Sequence, residues 1–368
     1  MHVEAIVQVV EGSLTWLHPK VPAGFGTSDR QASHCRCEDE QMRVVVLTGG
    51  VGGARFLRGL KALQARPGQS APQISHITAI ANTGDDITLH GLRICPDLDT
   101  VMYTLGQGID QDRGWGREGE TFTTQAELSA YGAGPDWFGL GDKDLATHLI
   151  RTRMLDAGYS LTDVTAALCK RWDIGISLLP MSDERVETHV FIEQDGEKVA
   201  LHFQQWWLEH RAGIPALGFA NVGADQAQPA PGAIEAIQEC DLVLLAPSNP
   251  VVSISPILAV PGIKEALQAK TVIGVSPIIG GSPVRGFADA CLAAIGVQTQ
   301  AGAVAKHLGA KADGGVLSGW LVDDVDADQV QDLESFGIRA KAVPLWMSDV
   351  DATAEIAREA IALAEGIR

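Results

Sequence analysis

Short apolar runs and amphipathic segments alternate along most of the chain. The runs lack the polar alternation of half-exposed strands, so they predict strands buried on both faces. They lie at 44–48, 76–82, 241–246, 271–275, 319–322 and 340–345. Segments with apolar residues at helical spacing, such as 54–65, lie between them. The alternation predicts an α/β fold with a Rossmann-like, mostly parallel sheet flanked by helices.

Three segments depart from this pattern. Helical patterns replace the strand signal from about 99 to 173, so we predict that 99–183 is a mainly helical insertion covering one end of the sheet. The α/β core then comprises 42–98 and 184–368. Alternating residues on both sides of Asp195-Gly196 predict a β-hairpin. Residues 1–41 are rich in polar residues, proline and glycine, and we predict a disordered extension there.

Four glycines follow the first predicted strand. Gly49, Gly50, Gly52 and Gly53 open the next helix, which is the context in which backbone N–H groups and a helix N-terminus bind phosphate. The segment is neither a Walker A loop nor a complete G-x-G-x-x-G fingerprint, because Arg55 occupies the third glycine position. Arg55 could add charge to the same anion. The alternative is a tight strand–helix turn without a ligand; we favour phosphate or nucleotide binding.

Carboxylates cluster after the second predicted strand. Asp85 and Asp86 end that strand, and Asp97 and Asp99 follow within fifteen residues. Ligands of open parallel sheets bind at this edge, and Mg²⁺ prefers carboxylate and phosphate oxygens. We therefore predict a magnesium site here, although Gly-Asp-Asp is also good turn chemistry. If the segment around Pro96 is extended, Asp97 and Asp99 point to one side.

Polar residues after two later strands are further candidates. Ser248, Asn249 and Ser276 would lie at the same edge as the glycines if the sheet is parallel, where they could contact a base, ribose or phosphate. Ordinary loop structure is the alternative. Aromatic residues could stack on a flat heterocycle or pack in the core, namely Trp115, Trp137, Phe138, Trp206 and Trp207. His148, within a helical pattern, is interpreted as packed or capped.

Charge and hydropathy exclude several classes. The net charge of −18 argues against a nucleic-acid-binding surface. No apolar run approaches the length of a membrane span, and residues 1–17 lack the basic region of a secretory signal. We expect a cytoplasmic protein without nucleic-acid or membrane partners.

Taken together, these motifs resemble the 2-phospho-L-lactate transferase family, whose actinobacterial branch is called phosphoenolpyruvate transferase. The resemblance covers about 43–368 with order and spacing kept. Its motifs are Gly-Gly-Val-Gly-Gly-Ala-Arg at 49–55, Asn-Thr-Gly-Asp-Asp at 82–86, Pro-Asp-Leu-Asp-Thr at 96–100, Leu-Gly-Asp-Lys-Asp-Leu-Ala-Thr-His at 140–148, Leu-Pro-Met-Ser-Asp at 179–183, His-Phe-Gln at 202–204, Ala-Pro-Ser-Asn-Pro-Val-Val-Ser-Ile at 246–254 and Val-Ser-Pro-Ile-Ile-Gly-Gly at 275–281. Residues 1–41 are not explained by it.

The resemblance implies a reaction in coenzyme F-420 biosynthesis. A guanosine diphospho-carboxylate donates phosphoenolpyruvate or phospholactate to the ribityl hydroxyl of 7,8-didemethyl-8-hydroxy-5-deazariboflavin, and GMP leaves. It also implies Mg²⁺ dependence and a homodimer.

On this basis we assign roles to the candidate residues. Asp85 and Asp99 are the predicted catalytic residues, and Asp99 best matches the family's deazaflavin contact. The predicted metal ligands are Asp85, Asp99 and Asp86. The predicted substrate-binding residues are Gly49, Gly50, Gly52, Gly53, Arg55, Asn82, Asp97, Thr100, Ser248, Asn249 and Ser276.

Two rival interpretations remain. The first is a non-catalytic, nucleotide-sugar-binding regulator of related fold, against which Pro-Asp-Leu-Asp-Thr and His-Phe-Gln-Gln-Trp-Trp favour the transferase. The second is a dinucleotide oxidoreductase, which predicts an acidic residue about 20 positions after the glycines. Asp85 follows Gly50 by 35 residues and Arg55 breaks the fingerprint, so this alternative is disfavoured.

Overall fold

Strands and helices alternate along residues 41–66 and 73–367, the part of the chain that this computed structural model describes. The strands are β1 (Gln41–Thr48), β2 (Gln73–Ala81), β3 (Ile87–Leu89), β4 (Leu92–Ile94), β5 (Ser177–Pro180), β6 (Glu187–Gln194), β7 (Glu197–His202), β8 (Ala216–Val222), β9 (Leu242–Leu245), β10 (Val272–Val275), β11 (Ile278–Ile279), β12 (Ser282–Pro283), β13 (Gly319–Val322) and β14 (Arg339–Ala342). The α-helices are α1 (Gly50–Gln64), α2 (Pro96–Leu105), α3 (Thr123–Ala130), α4 (Asp142–Asp156), α5 (Leu161–Cys169), α6 (Ala233–Glu239), α7 (Ser255–Ala259), α8 (Ile263–Gln268), α9 (Ala288–Ala294), α10 (Ala301–Leu308), α11 (Val330–Ser335) and α12 (Val350–Glu365).

The main sheet has seven strands in the order β14-β13-β10-β9-β1-β2-β5. Every neighbouring pair in it is parallel. β2 and β5 follow β1 on one side of it, and the later strand β9 pairs with β1 on its other side. The strand order therefore reverses between β1 and β9, and ligands of such sheets bind beyond the carboxyl ends of the strands at that point. The predicted Rossmann-like α/β fold is confirmed.

Apolar residues on both faces of β1 explain why it lies at the centre. Val45 and Leu47 pack into one buried cluster, and Val44 and Val46 pack into another that includes α1 and α12. Alternate side chains of a strand point to opposite faces, so a continuous apolar run suits a strand covered by helices on both sides. The core thus consists of two layers separated by the sheet.

Two predicted loops are the first turns of helices. Helix α1 begins at Gly50 rather than at 54, so three of the four glycines are helical. The segment 96–99 is not extended, because α2 begins at Pro96. Proline is favoured in the first helical turn, where its missing N–H needs no partner. Asp97 and Asp99 are therefore placed by helical geometry.

Other differences concern the smaller sheets. The hairpin around Asp195-Gly196 is confirmed as β6 and β7, but β8 joins it as a third strand. A second hairpin, β3 and β4, follows Asp86 directly. β5 lies within the segment predicted to be mainly helical and forms an edge of the main sheet.

The predicted division into a core and an insertion remains a prediction, and the predicted extension lies outside the described residues except for Gln41. Within 41–66 and 73–367, none of the helices has the length and apolar character of a membrane span.

Candidate active site

A cavity of about 640 Å³ opens at the carboxyl edge of the main sheet. The residues that follow β1 and β9 form one side of it, at the point where the strand order reverses. Helices α2 and α4, the segments on either side of α3, the segment after β10 and the segments that contain Trp207 and Arg285 also line it. Its volume is in the range of small-molecule and cofactor sites.

The first turn of α1 faces this cavity. Gly49 precedes the helix and has no side chain to cap it. Gly50 has a φ of +64°, which glycine adopts without strain. A Cβ at Gly52 would lie 2.6 Å from the carbonyl oxygen of Pro247, so the helix end approaches the segment after β9 closely. N–H groups and the helix dipole at such an end attract anions, so the first turn of α1 can hold a phosphate.

Asp85 and Asp97 are two buried carboxylates beside this helix end. Asp97 accepts hydrogen bonds from Asn82 Nδ2, at 2.9 Å, and from the N–H of Gly50. Burial raises the pKa of Asp97 to about 6. Burial, followed by the charge of Asp97, raises the pKa of Asp85 well above its ordinary value. Asp85 Oδ1 is buried without a hydrogen-bond partner among the described residues.

This pair fits a divalent cation. Ionised carboxylates that repel each other in a buried site are stabilised by a metal ion, and Mg²⁺ prefers one or two carboxylates together with substrate phosphate. The neighbouring helix end would supply the position for that phosphate. The residues that best fit Mg²⁺ are therefore Asp85 and Asp97.

Asp86, predicted as a metal ligand, does not line the cavity. Its Oδ2 pairs with Arg93 at 3.0 Å, and its side chain is fully buried. Burial raises the pKa of Asp86 to about 6, even though the charge of Arg93 acts in the opposite direction. The arginine already supplies the positive charge that a metal ion would provide.

Asp99 lines the cavity but is held by Arg151 of α4. Burial raises the pKa of Asp99, and the charge of Arg151 opposes that shift. Asp99 Oδ2 has no hydrogen-bond partner among the described residues and lies 3.7 Å from His148 Nδ1. One carboxylate oxygen is therefore fixed by the ion pair, and the other can accept a hydrogen bond from a bound hydroxyl.

Three polar residues of α4 surround Asp99 or its neighbours. Asp144, His148 and Arg151 share one face of the helix because they are four and three residues apart. His148 Nε2 lies 3.6 Å from Asp144 Oδ2, and Tyr103 donates a hydrogen bond to Asp144. Burial raises the pKa of Asp144, but His148, Tyr103 and Arg151 together outweigh it, and the net shift is downward.

The same residues are a second candidate group for a metal ion. Ligand atoms of Asp99, Asp144 and His148 all lie within 4.8 Å of one another. The buried guanidinium of Arg151 beside Asp99 disfavours another cation at this position. Asp85 and Asp97 are thus the better-suited pair.

The remaining predicted residues fall into two groups. Those that line the cavity are Gly49, Gly50, Gly52, Thr100, Ser248, Asn249 and Ser276. Those outside its lining are Gly53, Arg55 and Asn82.

The polar side chains in these groups mostly bond within the protein. Ser248 Oγ accepts from the N–H of Gly49 at 3.1 Å and donates to its carbonyl at 2.7 Å. Asn249 Oδ1 accepts from the N–H of Val251 at 2.9 Å. Asn82 is fully buried and bonds to Asp97, and its Oδ1 accepts from the N–H of Gly84 at 2.8 Å. These side chains fix the backbone segments that surround the cavity.

The aromatic candidates divide in the same way. Trp115, Trp137, Phe138 and Trp207 line the cavity and could stack on a flat ring. Trp206 is fully buried, and its Nε1 donates to the carbonyl of Ile214 at 2.8 Å. Stacking fits the first four residues, whereas core packing explains Trp206.

Sequence reasoning gave no role to Asp144, Arg151 or Arg285, and His148 does more than pack. All but Arg151 line the cavity, and Arg151 pairs with Asp99. The spacing of Asp144, His148 and Arg151 was a signal in the sequence, because polar residues on one helical face within an insertion predict a polar contact. No comparable signal marks Arg285, which lies between β12 and α9.

The raised carboxylate pKa values predict an unusual pH dependence of stability. Asp86 and Asp97 have a pKa of about 6 in the folded protein and of about 4 when unfolded. The folded state therefore binds more protons than the unfolded state, so the free energy of unfolding rises as pH falls from about 7 towards 4. For Asp97 the gain is up to about 3 kcal/mol.

Thermal unfolding of the metal-free protein between pH 7.5 and 5 measures this effect. Burial lowers the pKa of His202, which acts in the opposite direction. The decisive quantity is therefore the difference in unfolding temperature between Asp97→Asn and the wild type. This difference should be largest at pH 7.5 and should shrink on acidification. A difference that is constant across this range would contradict the prediction.

Comparison with known proteins yields matches over most of the chain. A family model described as 2-phospho-L-lactate transferase CofD matches residues 44–360. The phosphoenolpyruvate transferase of Streptomyces griseus is 60% identical over 329 residues, which cover 89% of this chain and 100% of that protein. The phosphoenolpyruvate transferase of Thermobifida fusca is 59% identical over 323 residues, which cover 88% of this chain and 98% of that protein.

A solved structure shares the fold. The crystal structure of a UPF0052 family member from Bacillus halodurans matches with a TM-score of 0.57 and 18% identity. The match covers 89% of this chain and 99% of that chain. At this identity the similarity concerns the fold alone.

Proposed function

The chain belongs to the 2-phospho-L-lactate transferase (CofD) family of coenzyme F-420 biosynthesis, and from this premise we propose a specific reaction. A guanosine diphospho-carboxylate donates its phosphoenolpyruvyl or phospholactyl group to the ribityl hydroxyl of 7,8-didemethyl-8-hydroxy-5-deazariboflavin, and GMP leaves. The observation that carries the proposal is the joint position of the α1 N-terminus and the Asp85–Asp97 pair in one cavity.

The donor would bind at the carboxyl edge of the main sheet. The N–H groups at the start of α1 suit the diphosphate. The segment after β9, which contains Ser248 and Asn249, suits the guanosine side because ligands of such folds extend across the point of strand reversal. Ser248 keeps this segment joined to Gly49. The donor would therefore span two segments that are already fixed relative to each other.

Asp85 and Asp97 would hold Mg²⁺ in this proposal. The ion would offset negative charge on the diphosphate and on the departing GMP. Within the protein, Asn82 and the N–H of Gly50 orient Asp97, so one ligand of the pair is fixed in advance. Transfer of a substituted phosphate depends mainly on such positioning and charge stabilisation.

Asp99 is the residue that would orient the acceptor hydroxyl and receive its proton. Its Oδ2 is unpartnered among the described residues, and Arg151 holds the other oxygen in place. The raised pKa of Asp99 makes the carboxylate a better proton acceptor than an exposed one. The deazaflavin ring would stack among Trp115, Trp137, Phe138 and Trp207.

Phosphoenolpyruvate is the favoured transferred acid. The relatives from Streptomyces griseus and Thermobifida fusca, which are about 60% identical, both carry the name phosphoenolpyruvate transferase. Family resemblance further implies a homodimer, which sedimentation velocity would test.

A turnover assay tests the reaction directly. The protein is incubated with Mg²⁺, the deazaflavin acceptor, and the enolpyruvyl or lactyl guanosine diphosphate in separate reactions. We expect GMP and a phosphodiester deazaflavin, formed faster from the enolpyruvyl donor. Absence of product from both donors, with GDP binding intact, would reject the proposal in favour of a nucleotide-binding regulator.

A further inference from the structure

Two arginines lie beside the glycine-rich end of α1. Arg285, on the segment between β12 and α9, lines the cavity, and Arg55 lies in the second turn of α1. Neither forms an ion pair with a carboxylate in residues 41–66 or 73–367. Several other described arginines also lack an ion pair, so what distinguishes Arg285 is its position in the lining of the cavity.

The position of Arg285 is defined by its contacts with the segment that contains Arg113 and Gly114. Its guanidinium donates a hydrogen bond to the carbonyl of Arg113. A Cβ at Gly114 would lie 2.8 Å from Arg285 Nη1 and 3.1 Å from Val51 Cγ1, so Arg285 and Val51 pack against the same glycine. Val51 follows Gly50 at the start of α1. Arg285 is therefore adjacent to the helix end that suits the diphosphate.

Like charges accumulate at this position. Burial, followed by the charge of Arg55, lowers the pKa of Arg285, and the same two causes lower the pKa of Arg58. Arg58 Nη1 bonds to the neutral Gln111 at 3.1 Å and so does not relieve the repulsion. Clustered arginines that lack carboxylate partners are suited to an anionic ligand, which they bind through charge-assisted hydrogen bonds.

We propose that Arg285 binds the carboxylate of the transferred acid and that the nearby Arg55 adds positive charge to this position. This inference rests on the proposed function, in which the acid is attached to the outer phosphate of the donor. Asp99 also lines the cavity and would repel a carboxylate, as would Asp85 and Asp97 without a bound cation. Arg285 would attract it, so the positive charge of Arg285 would help to orient the outer group of the donor.

The test compares two ligands that differ only by the acid. Binding of enolpyruvyl guanosine diphosphate and of GDP is measured by calorimetry with Mg²⁺ and without acceptor, for the wild type, Arg285→Gln and Arg285→Lys. We expect Arg285→Gln to weaken binding of the acid-bearing donor by about 10- to 100-fold, as expected for a lost hydrogen bond to a charged group. GDP affinity should change by less than about twofold, and Arg285→Lys should fall between.

The control is Arg339→Gln, an exposed arginine at the amino end of β14, which should leave both affinities unchanged. Equal losses for GDP and the donor would assign Arg285 to the phosphates and overturn the inference, as would unchanged binding of both. Because binding is measured without turnover, a protein that fails the transfer assay but shows the selective loss would contradict the proposed function and still support this inference.

Discussion

An Asp85→Asn variant is expected to lose transferase activity by about 10²- to 10³-fold, the magnitude seen when one electrostatic contact to the reacting group is removed. The same variant should unfold at a higher temperature than the wild type at pH 7.5 in the absence of metal. Asp85 is buried, its Oδ1 lacks a hydrogen-bond partner among the described residues, and the charge of Asp97 raises its pKa. A neutral amide removes that repulsion. Activity and stability should therefore change in opposite directions.

The neighbouring Asp86 provides a matched control. Asp86→Asn makes the same chemical change one residue later, but it breaks the buried ion pair with Arg93. It should raise the unfolding temperature at pH 7.5 by less than Asp85→Asn does, because relief of the buried Asp86 charge is offset by the loss of the charge partner of Arg93. GMP release and thermal unfolding are measured for both variants. Equal stabilisation by both substitutions, or stabilisation by neither, would contradict the assignment of Asp85 as the uncompensated carboxylate.

An Arg151→Met variant is expected to lower the free energy of unfolding by about 3–5 kcal/mol, which is the usual cost of breaking a buried ion pair from one side. Arg151 is almost fully buried, pairs with Asp99 and lies 3.2 Å from His148 Nδ1. Its removal leaves the Asp99 carboxylate buried without a cation. Urea denaturation at pH 7.5 measures the loss.

Two further variants make this experiment specific. Arg153→Met changes an exposed arginine on the same helix and should shift the free energy of unfolding by less than about 0.5 kcal/mol. The double variant Asp99→Leu/Arg151→Met removes both charges and should recover most of the lost stability. If the double variant were as unstable as the single one, packing of the Arg151 stem would account for the loss and the ion pair would not.

Periodicity was sufficient to predict the central strands of the sheet because they are buried on both faces. The uninterrupted apolar residues of β1 and β9 leave few alternatives, and the flanking helices have clear helical spacing. β5 was harder to predict: it has only four residues, and its sequence Ser-Leu-Leu-Pro carries little strand preference. The start of α2 was missed because Pro96 was interpreted as a loop residue, although proline also fits a first helical turn.

Motifs identified the site but not its charge partners. The glycines, Asp85, Asp97 and Asp99 lie within about fifty residues of one another in sequence, so their convergence at one sheet edge could be predicted. Arg93 and Arg151, which distinguish Asp86 and Asp99 from Asp85, pair with them through tertiary packing. Adjacent carboxylates in a sequence therefore looked equivalent, and only the packed structure separates them by charge environment.

The double hydrogen bond of Ser248 to Gly49 has a consequence for the release of products. It joins the segments after β1 and β9, so this side of the cavity has little freedom to open. Movement that admits substrate or releases product is then left to other parts of the rim, such as the contact of Arg285 with the carbonyl of Arg113. In enzymes whose chemistry is fast, such rim movements set the turnover rate. We therefore expect that a change on the Arg113 side of this contact, which leaves Arg285 in place, would alter the rate of opening and not the binding of the donor.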